Sequence, residues 1–180
     1  EYKAIRTETG KSPELYATLI MSGPILTAPG GHGTEYGVPT RTITSVAAAK
    51  KITKEVIDGG ADVIKLAYEA DTSNYIPSIT IDMVKAIVEV AHKHNKKVFA
   101  HIDLASQAVA CAEAGVDVLA HMPADGLTDE QLKTLKATGV IIIPTISVLQ
   151  TVFEGHDAQY MSDTLLWETA NPAYMTNFKH

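Results

Sequence analysis

Three polar residues stand in successive apolar segments of this sequence, and their side chains are of the types that can hold a metal ion. Lys65 interrupts DVIKLA, His101 follows VFA and His121 follows VLA, so both histidines come after an apolar residue and an alanine. A single histidine at a strand end is usually a hydrogen-bonded rim residue. Two on neighbouring strands, with a lysine one strand earlier, indicate a shared site, and imidazole nitrogens bind Zn²⁺ and similar divalent ions.

The lysine has three explanations. An unpaired ammonium is costly to bury and burial lowers its pKa, so Lys65 either extends to solvent or pairs with Asp62 or Glu69. In the second explanation, desolvation activates the amine to form a Schiff base. In the third, carbon dioxide carboxylates the amine, which becomes an anionic oxygen ligand able to bridge two metals. The two histidines downstream favour the third explanation.

The segments that carry these residues alternate with helical segments, which is typical of strand-helix units and a parallel sheet. An early strand over residues 18–28, broken at Gly23-Pro24, leads into the loop PGGHG. Because parallel α/β folds place their active sites at the carboxyl edge of the sheet, the lysine and both histidines are expected on one side of that edge. The buried strands that follow are predicted over residues 61–67, 97–102, 116–121 and 140–145.

Capping residues predict where the helices begin and end. Three helices have such signals at both ends: from Thr44 or a neighbour to Gly59-Gly60, from Thr80 and Asp82 to near Asn95, and from the capping box of Thr128 and Gln131 to Gly139.

Four or five such units in a row fit either a doubly wound sheet or part of an eight-stranded barrel, which takes about 250 residues when complete. At 180 residues, the chain is predicted to have an α/β fold, a partial (β/α)8 TIM barrel of parallel strands alternating with helices that holds strands three to seven. We assign residues 1–180 to a single domain. Its tail over 147–180 lacks the hydrophobic periodicity from which a helix or strand could be predicted. An open sheet edge is expected, and with it association with another copy.

Charge and composition narrow the classes of partner. The net charge is -6 and no long run of Lys or Arg occurs, whereas nucleic acid or an anionic membrane would need a basic surface. A small-molecule or peptide-like substrate is therefore expected. Cytoplasmic is the default location. The compartment nevertheless stays open, because Cys111 is the single cysteine and a removed signal peptide is compatible with a chain that begins at Glu1.

Five segments in order resemble the amidohydrolase superfamily, in particular its imidazolonepropionase-related branch of prolidase-like dipeptidases and amidases. They are GPILTAPGGHG, GGADVIKLAYEA, TIDMVKAIVEVAHKHNKKVFAHI, AVACAEAGVDVLAHMP and GVIIIPT, and the resemblance covers roughly residues 19 to 146. It implies that Lys65 is carboxylated and bridges two metals, that His101 and His121 bind one of them, and that His32 contacts the substrate. From the residues alone, the loop that holds His32 could equally be a flexible turn or a backbone nest for an anion.

The sequence also departs from that family. The first H-x-H ligand pair is expected before Glu1 and the strand-eight aspartate beyond His180. The H-x-H that is present, His92-Lys93-His94, lies at a predicted helix end, where positions two apart point in different directions. Its expected role is to place positive charge near the negative end of the helix dipole.

Two further residues are candidates for substrate binding. Asp103 stands where prolidase-like relatives tend to have a tyrosine that holds a substrate carboxylate, so specificity for a free acid is in doubt. Tyr68 could reach the edge of the site, as could Asp125 and His156, although exposed loop positions are the simpler interpretation.

The leading hypothesis is a metal-dependent hydrolase that cleaves an amide, peptide or related C–N bond through a metal-bound hydroxide, with Zn²⁺ or a similar ion. An alternative is a Schiff-base lyase or aldolase that uses Lys65. A third is a fragment without catalytic activity that serves as a binding or oligomerising module.

Overall fold

The computed structural model describes residues 2–69 and 76–146 of the chain. The described strands are β1 (Ile25–Thr27), β2 (Thr40–Thr42), β3 (Ile64–Ala67), β4 (Val98–His101), β5 (Val118–Leu119) and β6 (Ile141–Ile142). The described helices are α1 (Tyr2–Thr9), α2 (Val46–Asp58), α3 (Ile81–Lys93), α4 (Ala105–Glu113) and α5 (Asp129–Thr138). All of them lie in the compact unit Glu1–Pro144. The tail over 147–180 lies outside the described residues, so the single-domain assignment stays a prediction.

The strands form one parallel sheet in the order β2-β1-β3-β4-β5-β6, and β2 and β6 do not pair with each other. The sheet is therefore open, and the predicted fold class, a partial barrel of parallel strands alternating with helices, is confirmed. The exposed side chains of Ile141 (62%) and Ile143 (44%) lie at the β6 edge. Association with another copy through this open sheet stays a prediction.

Two elements were not predicted. Strand β2 has the sequence TRT, and among the described residues it pairs only with β1. It is a short edge strand, partly in solvent, that has no apolar run to reveal it. Helix α1 is polar and lies next to the N-terminus. The predicted strands are also longer than the paired ones, because flanking residues such as Ala61 and Val116 are buried without belonging to a strand.

The helix signals are confirmed. Ser45, the neighbour of Thr44, caps α2 by accepting from the Ala48 amide, and Thr80 caps α3 in the same way. Thr128 and Gln131 form the predicted capping box, and Gly139 ends α5 in the left-handed conformation (φ 72°). His92 is in the last turn of α3 and His94 is its C-cap, as expected from the dipole argument.

The two faces of the sheet differ in what covers them. Ile64 and Leu66 of β3 are fully buried in the hydrophobic core, together with Ile87 of α3. Because successive side chains of a strand point to opposite faces, Lys65 lies on the face away from this helical layer. Within the described residues, no helix is long and apolar enough to cross a bilayer.

At the amino edge of the sheet, where its strands begin, Asp117 connects the starts of β4 and β5. Its carboxylate accepts from the Val98 amide (2.8 Å), Lys97 Nζ (2.7 Å) and His92 Nε2 (2.9 Å). Burial raises the pKa of Asp117, but these hydrogen bonds outweigh burial and hold the pKa below its ordinary value of 3.8. Asp117 therefore stabilises the fold in its charged form.

We expect Asp117→Asn to lower the free energy of unfolding by about 1–3 kcal/mol at pH 7, because hydrogen bonds to a buried charge are lost. The wild-type advantage should be complete above pH 3.8 and disappear as the pH falls through the lowered pKa, since both proteins are then neutral at this position. Urea unfolding across pH measures it. Asp58→Asn, which removes an exposed partner of Lys54, is the control and should cost little. Equal stability of the Asp117 variant and the wild type at pH 7 would refute the role.

Candidate functional site

The sheet places two of the predicted ligands on the same face of adjacent strands, Lys65 within β3 and His101 at the end of β4. His101 is the last residue of β4, and Ala67 of β3 pairs with it in parallel register. Lys65 is two residues before Ala67 and pairs with Phe99, so Lys65 and His101 lie on the same face of the sheet.

His121 follows β5, where the chain bends after Leu119. The Ala120 amide still donates to the Ala100 carbonyl (2.8 Å), which keeps this segment beside β4. The His101 and His121 rings lie 4.5 Å apart between centroids, at an interplanar angle of 78°. The two histidines are therefore neighbours at the carboxyl edge.

His32 reaches the same place from the loop after β1. The loop begins with a tight turn in which the Gly31 amide donates to the Ala28 carbonyl (2.9 Å). The His32 ring then stacks on His101, with centroids 3.8 Å apart and an interplanar angle of 16°. The loop is thus built against the two strand-end histidines.

Gly31 allows the loop to pack closely against Thr27 and Pro77. A Cβ at Gly31 would lie 2.5 Å from Thr27 Oγ1 and 2.6 Å from the Pro77 carbonyl oxygen, and the backbone carbonyl cannot rotate away. We expect Gly31→Ala to cost about 3 kcal/mol, near the top of the usual range for overpacking. Gly37→Ala should cost less, about 1–2 kcal/mol, because Gly37 has a positive φ but open space around it. Guanidinium unfolding compares them, and equal stability of Gly31→Ala and wild type would contradict this packing.

Glu69 completes the cluster. One of its oxygens, Oε1, lies 2.6 Å from His101 Nε2 and 2.9 Å from His32 Nδ1, and its side chain is only 8% exposed. The sequence had suggested Glu69 only as a partner of Lys65. The two-residue alternation of β3 was the available signal, because it puts Glu69 on the same face as Lys65. The other suggested partner, Asp62, instead pairs with Arg6 and accepts from the Met21 amide.

Burial sets the charge state of the cluster. Desolvation lowers the pKa of His121 to about 4, with smaller electrostatic contributions from its neighbours, and desolvation also lowers the pKa of His32. Desolvation lowers the pKa of Lys65 to about 8. Burial raises the pKa of Glu69, but the hydrogen bond from His101 and the neighbouring histidines outweigh it and leave the pKa below its ordinary value. These shifts favour the neutral forms of His32 and His121 beside an ionised Glu69 carboxylate.

Of the other residues that the sequence suggested for substrate binding, those that the structure describes lie outside this cluster of histidines. Tyr68 is buried in the hydrophobic core on the helical face, since it shares the parity of Ile64 and Leu66 rather than that of Lys65. Asp103 is exposed just after β4, and its amide donates to Gln107 Oε1 (2.8 Å). Asp125 Oδ1 accepts from the first amide of α4, that of Ala105 (2.7 Å). His156 lies outside the described residues.

The donor set fits a divalent metal. Ligand atoms of His32, Glu69 and His101 lie within 4.8 Å of one another. Two ligands of a tetrahedral zinc are roughly 3.3 Å apart, given bonds of about 2.0–2.1 Å, so this spacing suits ligands of one ion or a ligand and its outer hydrogen-bond partner. Neutral imidazoles are the form that binds metal, and the lowered pKa values of His32 and His121 favour that form.

Neither the protein-family models nor the curated proteins give a match to this sequence. Among solved structures, the chain is similar to a Xaa-Pro dipeptidase with bound methionine in the active site (TM-score 0.70, 20% identity, 84% of this chain and 41% of that one). It is also similar to the ochratoxinase of A. niger (0.69, 19%, 82% and 40%) and to a prolidase complexed with N-methylphosphonate-L-proline (0.64, 20%, 76% and 38%).

These similarities establish the fold. They confirm, at that level, the resemblance to a fragment of a prolidase-like amidohydrolase. The chain spans about two fifths of the length of each of these proteins.

Proposed function

We propose that this chain is the central part of a metal-dependent hydrolase that cleaves an amide, peptide or related C–N bond. The observation that carries the proposal is the meeting of His32, His101 and His121 at one carboxyl edge, with Lys65 on the same face of the sheet. The similar structures support it, because they are described as a dipeptidase, a prolidase and an ochratoxinase. The complete activity would belong to a protein that contains the whole barrel.

His101 and His121 would hold one ion, and Lys65 would bridge it to a second. Zn²⁺ or a similar ion held there would supply an activated water nucleophile and polarisation of the scissile carbonyl. His32, which stacks on His101, would contact the substrate from the loop after β1.

Carboxylation would convert Lys65 into an oxygen ligand. The neutral amine attacks the carbon of CO₂, an N–C bond forms, and one N–H proton leaves to solvent, which yields a carbamate anion. Desolvation lowers the pKa of Lys65 to about 8, so more of the reactive neutral amine is present near neutral pH than for an ordinary lysine.

Asp103 bears on substrate choice. Its carboxylate is exposed two residues after His101, where it would repel a free carboxylate on the substrate. We therefore propose that peptide-like substrates with a neutral or amide end are preferred over free-acid dipeptides. Tyr68 is not part of this proposal, because it packs in the core.

The test is metal dependence in the protein that carries the complete barrel. We expect exhaustive chelation to abolish hydrolysis of an N-acyl amino acid amide, and Zn²⁺ with bicarbonate to restore it, since the metal supplies the nucleophile and bicarbonate the carbamate. A Schiff-base enzyme would behave in the opposite way. Chelators would leave it active, and borohydride would trap a covalent adduct on Lys65. Full activity after chelation would refute the hydrolase proposal, and a lack of any activity with the metal site intact would favour a module without catalysis.

A further inference from the structure

We infer that Glu69 is a positioning residue that fixes which ring nitrogen His101 and His32 present to the site. The inference deepens the proposed function and rests on it for the identity of the ligands. It starts from a single carboxylate oxygen that lies 2.6 Å from His101 Nε2 and 2.9 Å from His32 Nδ1.

An ionised carboxylate only accepts hydrogen bonds. Both of the nitrogens that face Glu69 Oε1 must therefore carry a proton. In the neutral form, which is the form that binds a metal, each ring has one protonated nitrogen and one lone pair, so His101 then presents Nδ1 and His32 presents Nε2 as its basic nitrogen. The hydrogen bond thereby selects the tautomer of each ring, which is how outer carboxylates prepare histidine ligands for metals.

Glu69 is itself held in place. Its amide donates to Ser78 Oγ (3.0 Å), and the amide of the preceding residue, Tyr68, donates to the His101 carbonyl (3.0 Å). The backbone at Glu69 is thus anchored both to the segment before α3 and to the residue that its side chain orients. His32 and His101 stack on each other, with ring centroids 3.8 Å apart, so the same carboxylate oxygen faces both rings.

Glu35 provides a matched comparison. Its Oε1 lies 3.6 Å from the same His32 Nδ1, but its side chain is 42% exposed against 8% for Glu69. A partly solvated carboxylate at this distance orients a ring weakly. If position and burial matter rather than charge alone, substitution of Glu69 should change the His101 tautomer and the zinc affinity, and substitution of Glu35 should change neither.

The first measurement is the ¹⁵N NMR signal of the imidazole nitrogens in the metal-free 180-residue chain. We expect His101 to be protonated at Nε2 in the wild type and in Glu35→Gln. We expect Glu69→Gln to keep this tautomer, because its amide oxygen still accepts, and Glu69→Ala to lose it. A His101 protonated at Nδ1 in the wild type, or an unchanged tautomer in a folded Glu69→Ala variant, would overturn the inference.

The second measurement is calorimetric titration with Zn²⁺ alone. Glu69→Ala should bind about 10- to 100-fold more weakly than the wild type, the range seen when an outer partner of a metal ligand is removed. Glu69→Gln should recover part of that loss and Glu35→Gln should bind as the wild type does. A loss in Glu69→Gln as large as in Glu69→Ala would make Glu69 a direct ligand and overturn the positioning role. If the wild type binds no zinc but shows the expected tautomers, the metal proposal fails while the role of Glu69 stands.

Discussion

Lys65→Ala is expected to abolish hydrolysis in the protein that carries the complete barrel, with kcat/KM lower by at least about 10³-fold. The reason is that a bridging ligand contributes several kcal/mol of transition-state stabilisation through the ions that it holds. Lys65 lies on the face of the sheet away from the helical layer, so the truncation removes no core packing on the helical side. Steady-state kinetics at saturating Zn²⁺ and bicarbonate provide the measurement.

Two further lysine variants sharpen this expectation. Lys65→Glu should retain a trace of activity, because its carboxylate replaces the carbamate oxygens with a shorter reach. Lys51→Ala removes a lysine whose side chain is 78% exposed on α2, and it should leave activity unchanged. Wild-type activity in Lys65→Ala would exclude the lysine from the mechanism.

The second large effect is expected from the strand-end histidines. His101→Ala and His121→Ala should each weaken Zn²⁺ binding to the 180-residue chain by at least about 100-fold, because each removes one of few nitrogen ligands. Since the rings are neighbours at 4.5 Å, the double variant should lose little more than either single one, as expected for ligands of one ion. Competition with a chromogenic chelator measures the affinities.

His94→Ala is the control for these variants. His94 is exposed at the C-cap of α3, and its Nδ1 hydrogen-bonds the Val90 carbonyl (2.8 Å). Zinc affinity should be unchanged in this variant. If His94→Ala weakened binding as much as His101→Ala, the helical H-x-H would have to be reconsidered as the metal site.

Much of this site could be predicted because its signals are local. Lys65 and His101 stand in apolar segments long enough to be recognised as strands, and the carboxyl edge of a parallel sheet brings strand ends together. Helix limits such as Thr128 and Gly139 were predictable because capping depends on a few neighbouring residues.

The features that escaped prediction depend on tertiary structure or on the alternation of side chains along β3. Strand β2 is defined by its pairing with β1. Its three polar residues alone give no sign of that pairing. Strand alternation would have assigned Tyr68 to the core and Glu69 to the site. The contact of Glu69 with His32 brings together residues from two loops, and this proximity could be read only from the fold.

The most direct test of a shared metal site is anomalous scattering at the zinc edge from crystals of the 180-residue chain soaked in Zn²⁺. We expect a peak at the carboxyl edge of the sheet, at roughly 2.0–2.1 Å from a nitrogen of both His101 and His121. Density for a carboxylated Lys65 should lie beside it. A peak confined to other residues, such as His92 and Asp117 at the opposite edge, or no peak at all at saturating zinc, would contradict it.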